Sequence, residues 1–173
     1  NRHFLKVVKA FDLVGDENNC NSLWKFEKEI ILIKKILSKN NLNIPFLFHA
    51  GETNNINKSL SNIKFAIKYG GNRIGHGFQV YNDDNLINQI IKKNILLEIC
   101  PISNIKLNNI SDISIYYKLY KKGVKMSINT DDPNKLNDCT INDNYKILLN
   151  NGFNLNDLKI LKHYSKKFSY KQF

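Results

Sequence analysis

The chain has 173 residues, 42% of them hydrophobic and 24% charged, which suits one domain with a sizeable core and not a disordered chain. No apolar run approaches the roughly 20 residues of a membrane span, so no membrane partner is expected. The net charge of +11 is nearly all lysine, with Arg2 and Arg73 the only arginines; without the residue that does most bidentate base and phosphate reading, no nucleic-acid partner is expected either.

A first strand is expected over Val7–Val14 (VVKAFDLV), ending in Gly15-Asp16-Glu17. Asn21 or Ser22 then caps a helix in which Leu23, Phe26, Ile30, Ile33 and Leu37 recur at helical spacing. PFLF forms a second strand that ends in His49-Ala50-Gly51-Glu52, and a helix from about Ser59 carries Leu60, Ile63 and Ile67 to Gly70-Gly71. A third strand, Asn72–Ile74, ends in Gly75-His76-Gly77; the helix after it starts at Asp83 or Asp84 and carries Leu86, Ile87, Ile90 and Ile91. The fourth strand, Ile95–Cys100, ends in Pro101-Ile102-Ser103-Asn104, and a helix from Ser111 runs through Ile115 and Leu119 to Gly123. The fifth, Val124–Asn129, ends in Thr130-Asp131-Asp132-Pro133, before two helices over Asn142–Asn150 and Asn156–Lys167. Glycines after helices are expected as left-handed caps. Continuous apolar runs indicate parallel strands buried on both faces.

Every strand therefore ends in polar or glycine-rich chemistry. Intervals from Gly15 to His49, His76, Pro101 and Asp131 are 34, 27, 25 and 30 residues, close to the ~31 of a (β/α)8 barrel, whose active site lies at that end of the strands. The expected fold is α/β: about five βα units of a TIM barrel plus C-terminal helices, in one domain over residues 1–173. Gly15, Gly51, Gly75 and Gly77 stand at strand ends, where small residues would let a ligand or metal approach the backbone.

His49, His76, Asp131, Asp132 and Glu52 together form a nitrogen- and oxygen-rich set suited to a borderline divalent metal, most often zinc. A neighbouring carboxyl group can serve as general acid or base. Each piece alone has an ordinary structural reading: a satisfied histidine, a turn at Asp131-Asp132-Pro133, a helix-end charge at Glu17. Their recurrence at equivalent strand ends argues for a site. His3 and His163 lack that context and read as surface or packing residues. Cys20, Cys100 and Cys139 form no CxxC pair and read as reduced thiols of an intracellular protein. The opening NRHFLKVV lacks a signal-peptide cleavage site, so a cytoplasmic location is expected.

The stretches FDLVGDE, HAGET, RIGHG, LLEICPISN and SINTDDP resemble, in order, the C-terminal part of the adenosine deaminase family of the amidohydrolase superfamily. FDLVG with HAGET is also similar to its growth-factor-like, secreted members. The resemblance implies a metal-dependent hydrolase barrel with one zinc ion held by His49 and Asp131. It implies that Glu52 protonates the purine, that His76 orients or deprotonates the attacking water, that Asp132 holds water and base, and that the Gly15 backbone contacts the purine. The implied partner is a small nucleoside, adenosine being converted to inosine and ammonia in purine salvage. AMP or another aminopurine is the alternative substrate, and a non-catalytic growth-factor-like protein the alternative class. The family's first strand carries His-x-His, which does not occur here; the chain is therefore read as a piece of a longer enzyme, inactive alone, with a degenerate protein that kept half a site as the alternative.

Overall fold

The computed structural model describes residues 7–170 apart from 109 and 138; His3 lies outside them. Five parallel strands, β1 (Phe11–Leu13), β2 (Phe46–Ala50), β3 (Arg73–His76), β4 (Leu96–Ile99) and β5 (Lys125–Ile128), form one sheet in sequence order. The helices are α1 (Glu27–Lys39), α2 (Ile56–Tyr69), α3 (Asp84–Lys92), α4 (Pro101–Asn108), α5 (Ser114–Lys121), α6 (Ile141–Leu149) and α7 (Leu155–Phe168). No helix among the described residues is long and apolar enough to cross a membrane.

Side chains alternate across a strand, and the two faces of this sheet differ sharply. Phe48, Ile74, Leu97, Ile99 and Met126 join Ile63, Ile87, Ile90, Tyr116 and Leu119 of the helices in a single core. Phe48 meets Phe65 of α2 edge-on, with ring centroids 5.6 Å apart. The other face is the interior of a barrel wall. Register aligns His49, Gly75, Glu98 and Ser127 in one row, and Arg73, Leu96 and Lys125 in the row below. Arg73 Nε lies 3.2 Å from Glu98 Oε1, but not at a hydrogen-bonding angle; it is the one buried side-chain nitrogen or oxygen without a hydrogen bond among the described residues.

Several boundaries differ from expectation. β1 has only three residues and is not buried on both faces: Phe11 is 39% exposed. The first helix enters as a 3-10 turn, Leu23–Phe26, and Ser22 makes no side-chain cap. α2 starts at Ile56, where the Asn55 side chain accepts from the Lys58 N–H, while Ser59 is buried and donates to the Thr53 carbonyl at 2.8 Å. α5 starts at Ser114, whose N–H donates to Asp112 at 3.0 Å, and not at Ser111. Helix α4 stands where a strand end and loop were expected. Gly123 and Gly152 are left-handed after their helices, but Gly70 is extended, with φ −78°.

Candidate active site

β2 delivers His49 to the tip of the sheet. Its Nδ1 lies 3.2 Å from Asp12 Oδ1 on β1. Burial works against charge on this ring, but the Asp12 hydrogen bond and the carboxylates of Asp12, Glu52 and Glu98 outweigh it and raise the pKa. Gly75, opposite His49, is what lets the ring lie there: a Cβ at 75 would sit 2.9 Å from the His49 Cγ and Cδ2. Likewise, a Cβ at Gly51 would strike Ile63 at 2.4 Å and one at Gly77 would strike Leu97 at 2.7 Å. The small residues at these three strand ends make room for protein side chains, which corrects the expectation that they clear space for a ligand.

His76 is 3% exposed, and its ring centroid is 5.4 Å from that of His49. Its Nε2 is 3.4 Å from Glu52 Oε2, and its Nδ1 is 3.2 Å from Asn104 Nδ2. The Tyr116 hydroxyl donates to Asn104 Oδ1 at 2.9 Å, and both residues are fully buried. That oxygen takes the tyrosine proton, so the amide nitrogen is left to donate to His76 Nδ1. On this network, neutral His76 carries its proton on Nε2, facing Glu52. Burial, then the positive charge of His49, lower the His76 pKa, against the pull of Asp131, Asn104 and Glu17, and keep the ring neutral.

Asp131 accepts from Ser103 Oγ at 2.5 Å. Ligand atoms of His76, Cys100 and Asp131 lie within 4.8 Å of one another. Burial, then the carboxylates of Asp131, Glu98 and Glu52, push the Cys100 thiol pKa up, so it stays protonated. His76 and Asp131 both sit at positive φ, 60° and 62°, an uncommon conformation for residues other than glycine that concentrates at functional sites. Both stand where a strand turns into its loop.

One cavity of about 480 Å³ gathers Gly15, His49, Glu52, His76, Asp131 and Asp132, together with Glu17 and Lys135. Asp132 is exposed and pairs with Lys135 Nζ at 2.9 Å. A larger groove of about 580 Å³, lined by Lys34, Pro45 and Gly71 among others, lies at the opposite ends of the strands and contains none of these residues. Sequence reasoning gave no role to Asp12, Ser103 or Asn104. Asp12 carried one signal, a carboxylate inside an apolar strand; Ser103 and Asn104 stood in a noted motif without one. Glu17 is no helix-end charge: it is 7% exposed, and its carboxylate accepts from the loop after β2.

Residues 2–173 match the family described as adenosine deaminase. The chain belongs to that family. It is 48% identical over 118 residues to an adenosine deaminase of Plasmodium gallinaceum, covering 66% of this chain and 32% of the relative. It is 36% identical over 163 residues to adenosine deaminase 2 of Homo sapiens, covering 92% and 31%. The chain thus spans about a third of the length of the relatives it matches. Its fold follows an adenine deaminase from Arthrobacter aurescens (TM-score 0.76, 22% identity, 94% of this chain and 47% of that one). It also follows an amidohydrolase from Burkholderia ambifaria solved with bound zinc (TM-score 0.75, 18% identity, 92% and 43%). These likenesses show the fold: the five strands are consecutive βα units of a parallel α/β barrel.

Proposed function

We propose that the complete family member deaminates adenosine hydrolytically, adenosine and water giving inosine and ammonia, in the cytoplasm and in purine salvage. The observation that carries this reading is the convergence of His49, Glu52, His76 and Asp131 on one cavity at the tips of β2, β3 and β5 of one parallel sheet. The donor set fits a zinc ion: imidazole nitrogen from His49 and carboxylate oxygen from Asp131 are borderline ligands of the kind zinc takes. A solved amidohydrolase of the same fold carries bound zinc, which supports a metal in this cavity. When bound, zinc acts as a Lewis acid that makes water nucleophilic near neutral pH.

The chain's own residues supply the proton chemistry. Addition at C6 of the purine pushes electron density onto the adjacent ring nitrogen, and Glu52 delivers the proton that neutralises it. His76, neutral and protonated at Nε2, orients the attacking water as a hydrogen-bond donor. Asp132, at the cavity's mouth, accepts from water and base, and the Gly15 backbone meets the purine.

The test is ammonia and inosine formation by the purified complete protein, with AMP as the competing substrate. Glu52→Gln is expected to keep the metal and lower turnover by at least about 10²-fold, the low end for general acid–base catalysis. A Glu52→Gln protein that matches the parent rate removes Glu52 from the mechanism. Preference for AMP moves the substrate to a nucleotide, and zinc binding without ammonia release from either substrate points to a non-catalytic binding protein.

A further inference from the structure

We infer that Glu17 is the positioning residue for Glu52: its buried carboxylate pins the backbone that carries the proton donor and ties it to the Gly15 segment. This rests on the deaminase reading for its purpose, and on geometry alone for the clamp.

Glu17 Oε1 accepts from the Gly51 N–H at 3.0 Å and from Asn62 Nδ2 at 2.7 Å; Oε2 accepts from the N–H groups of Glu52 at 2.6 Å and Thr53 at 2.9 Å. Three successive backbone N–H groups thus converge on one anion, the arrangement that binds phosphate elsewhere. Here the anion is supplied by the protein, and Gly51, at φ 83°, supplies the left-handed turn that aims the groups inward. Gly51 and Thr53 are buried, so these donors cannot turn to water, and a charged acceptor makes each bond roughly twice as strong as a neutral one. The four bonds use the carboxylate's acceptor capacity of about four lone pairs.

Crosslinks on either side make the two segments one unit. Thr53 Oγ1 donates to Asn18 Oδ1 at 2.5 Å, and Lys58 Nζ donates to the Cys20 carbonyl at 2.7 Å. Gly15, two residues before Glu17, faces the same cavity as Glu52. The backbone that meets the purine and the backbone that holds its proton donor are thus fixed relative to each other by the Glu17 carboxylate, with these crosslinks beside it. Misplacement by about 1 Å can cost a reaction 10²-fold.

The decisive experiment crosses Glu17→Gln with Glu52→Gln in the full-length, zinc-loaded protein, reading kcat and KM for adenosine. Glutamine keeps the volume but turns an N–H2 toward N–H donors. Glu17→Gln is expected to lower kcat about 10- to 100-fold in the parent and less than about threefold when Glu52 is already glutamine, since residues acting as a unit are not additive. Amide exchange at residues 51–53 should speed up, with the strand amides unchanged. Glu17→Asp, charged but one methylene short, should fall between and replaces the glutamine variant in the cycle if that variant does not fold. An equal loss of kcat in both backgrounds, or amides 51–53 still protected in the variant, overturns the inference. A full-length parent that releases no ammonia from adenosine, with the amides still released by Glu17→Gln, sinks the deaminase reading and leaves the clamp standing.

Discussion

The imidazole of His49 occupies the volume that any side chain at position 75 would need. A methyl group there would lie 2.9 Å from ring carbons, closer than real contacts allow, and overpacking of this kind costs about 1–3 kcal/mol. Gly75→Ala is expected to lower the unfolding midpoint and, because the ring must swing off Asp12, to weaken zinc binding at least about tenfold. Thermal unfolding of the complete protein with and without zinc checks both. The sequence singled out Gly75 inside RIGHG, though for a ligand it does not serve. His49, Glu52, His76 and Asp131 were legible because each ends a buried strand in a polar group. Asp12 and Asn104 were not, because their partners lie 37 and 28 residues away, and only strand register brings them together. The positive φ of His76 and Asp131 was equally hidden, since a turn's shape depends on what both its ends pack against.

Among the elements, α6 and α7 carry the plainest start signals. Thr140 with Asp143, and Asn154 with Asp157, form reciprocal capping boxes. The Asp143 pKa is held down to about 2 by the Thr140 hydroxyl, then by the Thr140 backbone N–H and Lys146. Because this folded-state pKa lies below the unfolded 3.8, the stabilisation is complete above that value and is lost as pH falls through about 2. The first turn of α6 is therefore expected to fray between pH 4 and pH 2, and Asp143→Asn to remove that dependence; amide exchange at residues 141–145 would show it. Helix α4 escaped notice for the opposite reason. Its eight residues begin directly after β4 at Pro101, a good first helical residue but without a polar cap before it, and its apolar spacing is weak. The α2 start was misplaced because Asn55 outcompeted Ser59 as cap, and Ser59 was spent on the Thr53 carbonyl.

At the scale of the molecule, β1 and β5 each pair with a single neighbour among the described residues, and the inner face carries Arg73, Glu98 and Lys125 in facing rows. Open strand edges are templates for further pairing. Residues 1–173 alone are expected to self-associate and to release no ammonia from adenosine, checked by sedimentation and by assay with added zinc. Activity in that piece would mean the ligand set is completed within the chain or by a second copy, with His3 the first residue to change. The neighbour order of the sheet has a consequence for how the chain is made. Each strand from β2 to β5 hydrogen-bonds to the one immediately before it in sequence, so as each of them leaves the ribosome its docking edge is already synthesised. The wall can be laid down in the order of translation at about 5–20 residues per second, each helix covering its strand before the next emerges.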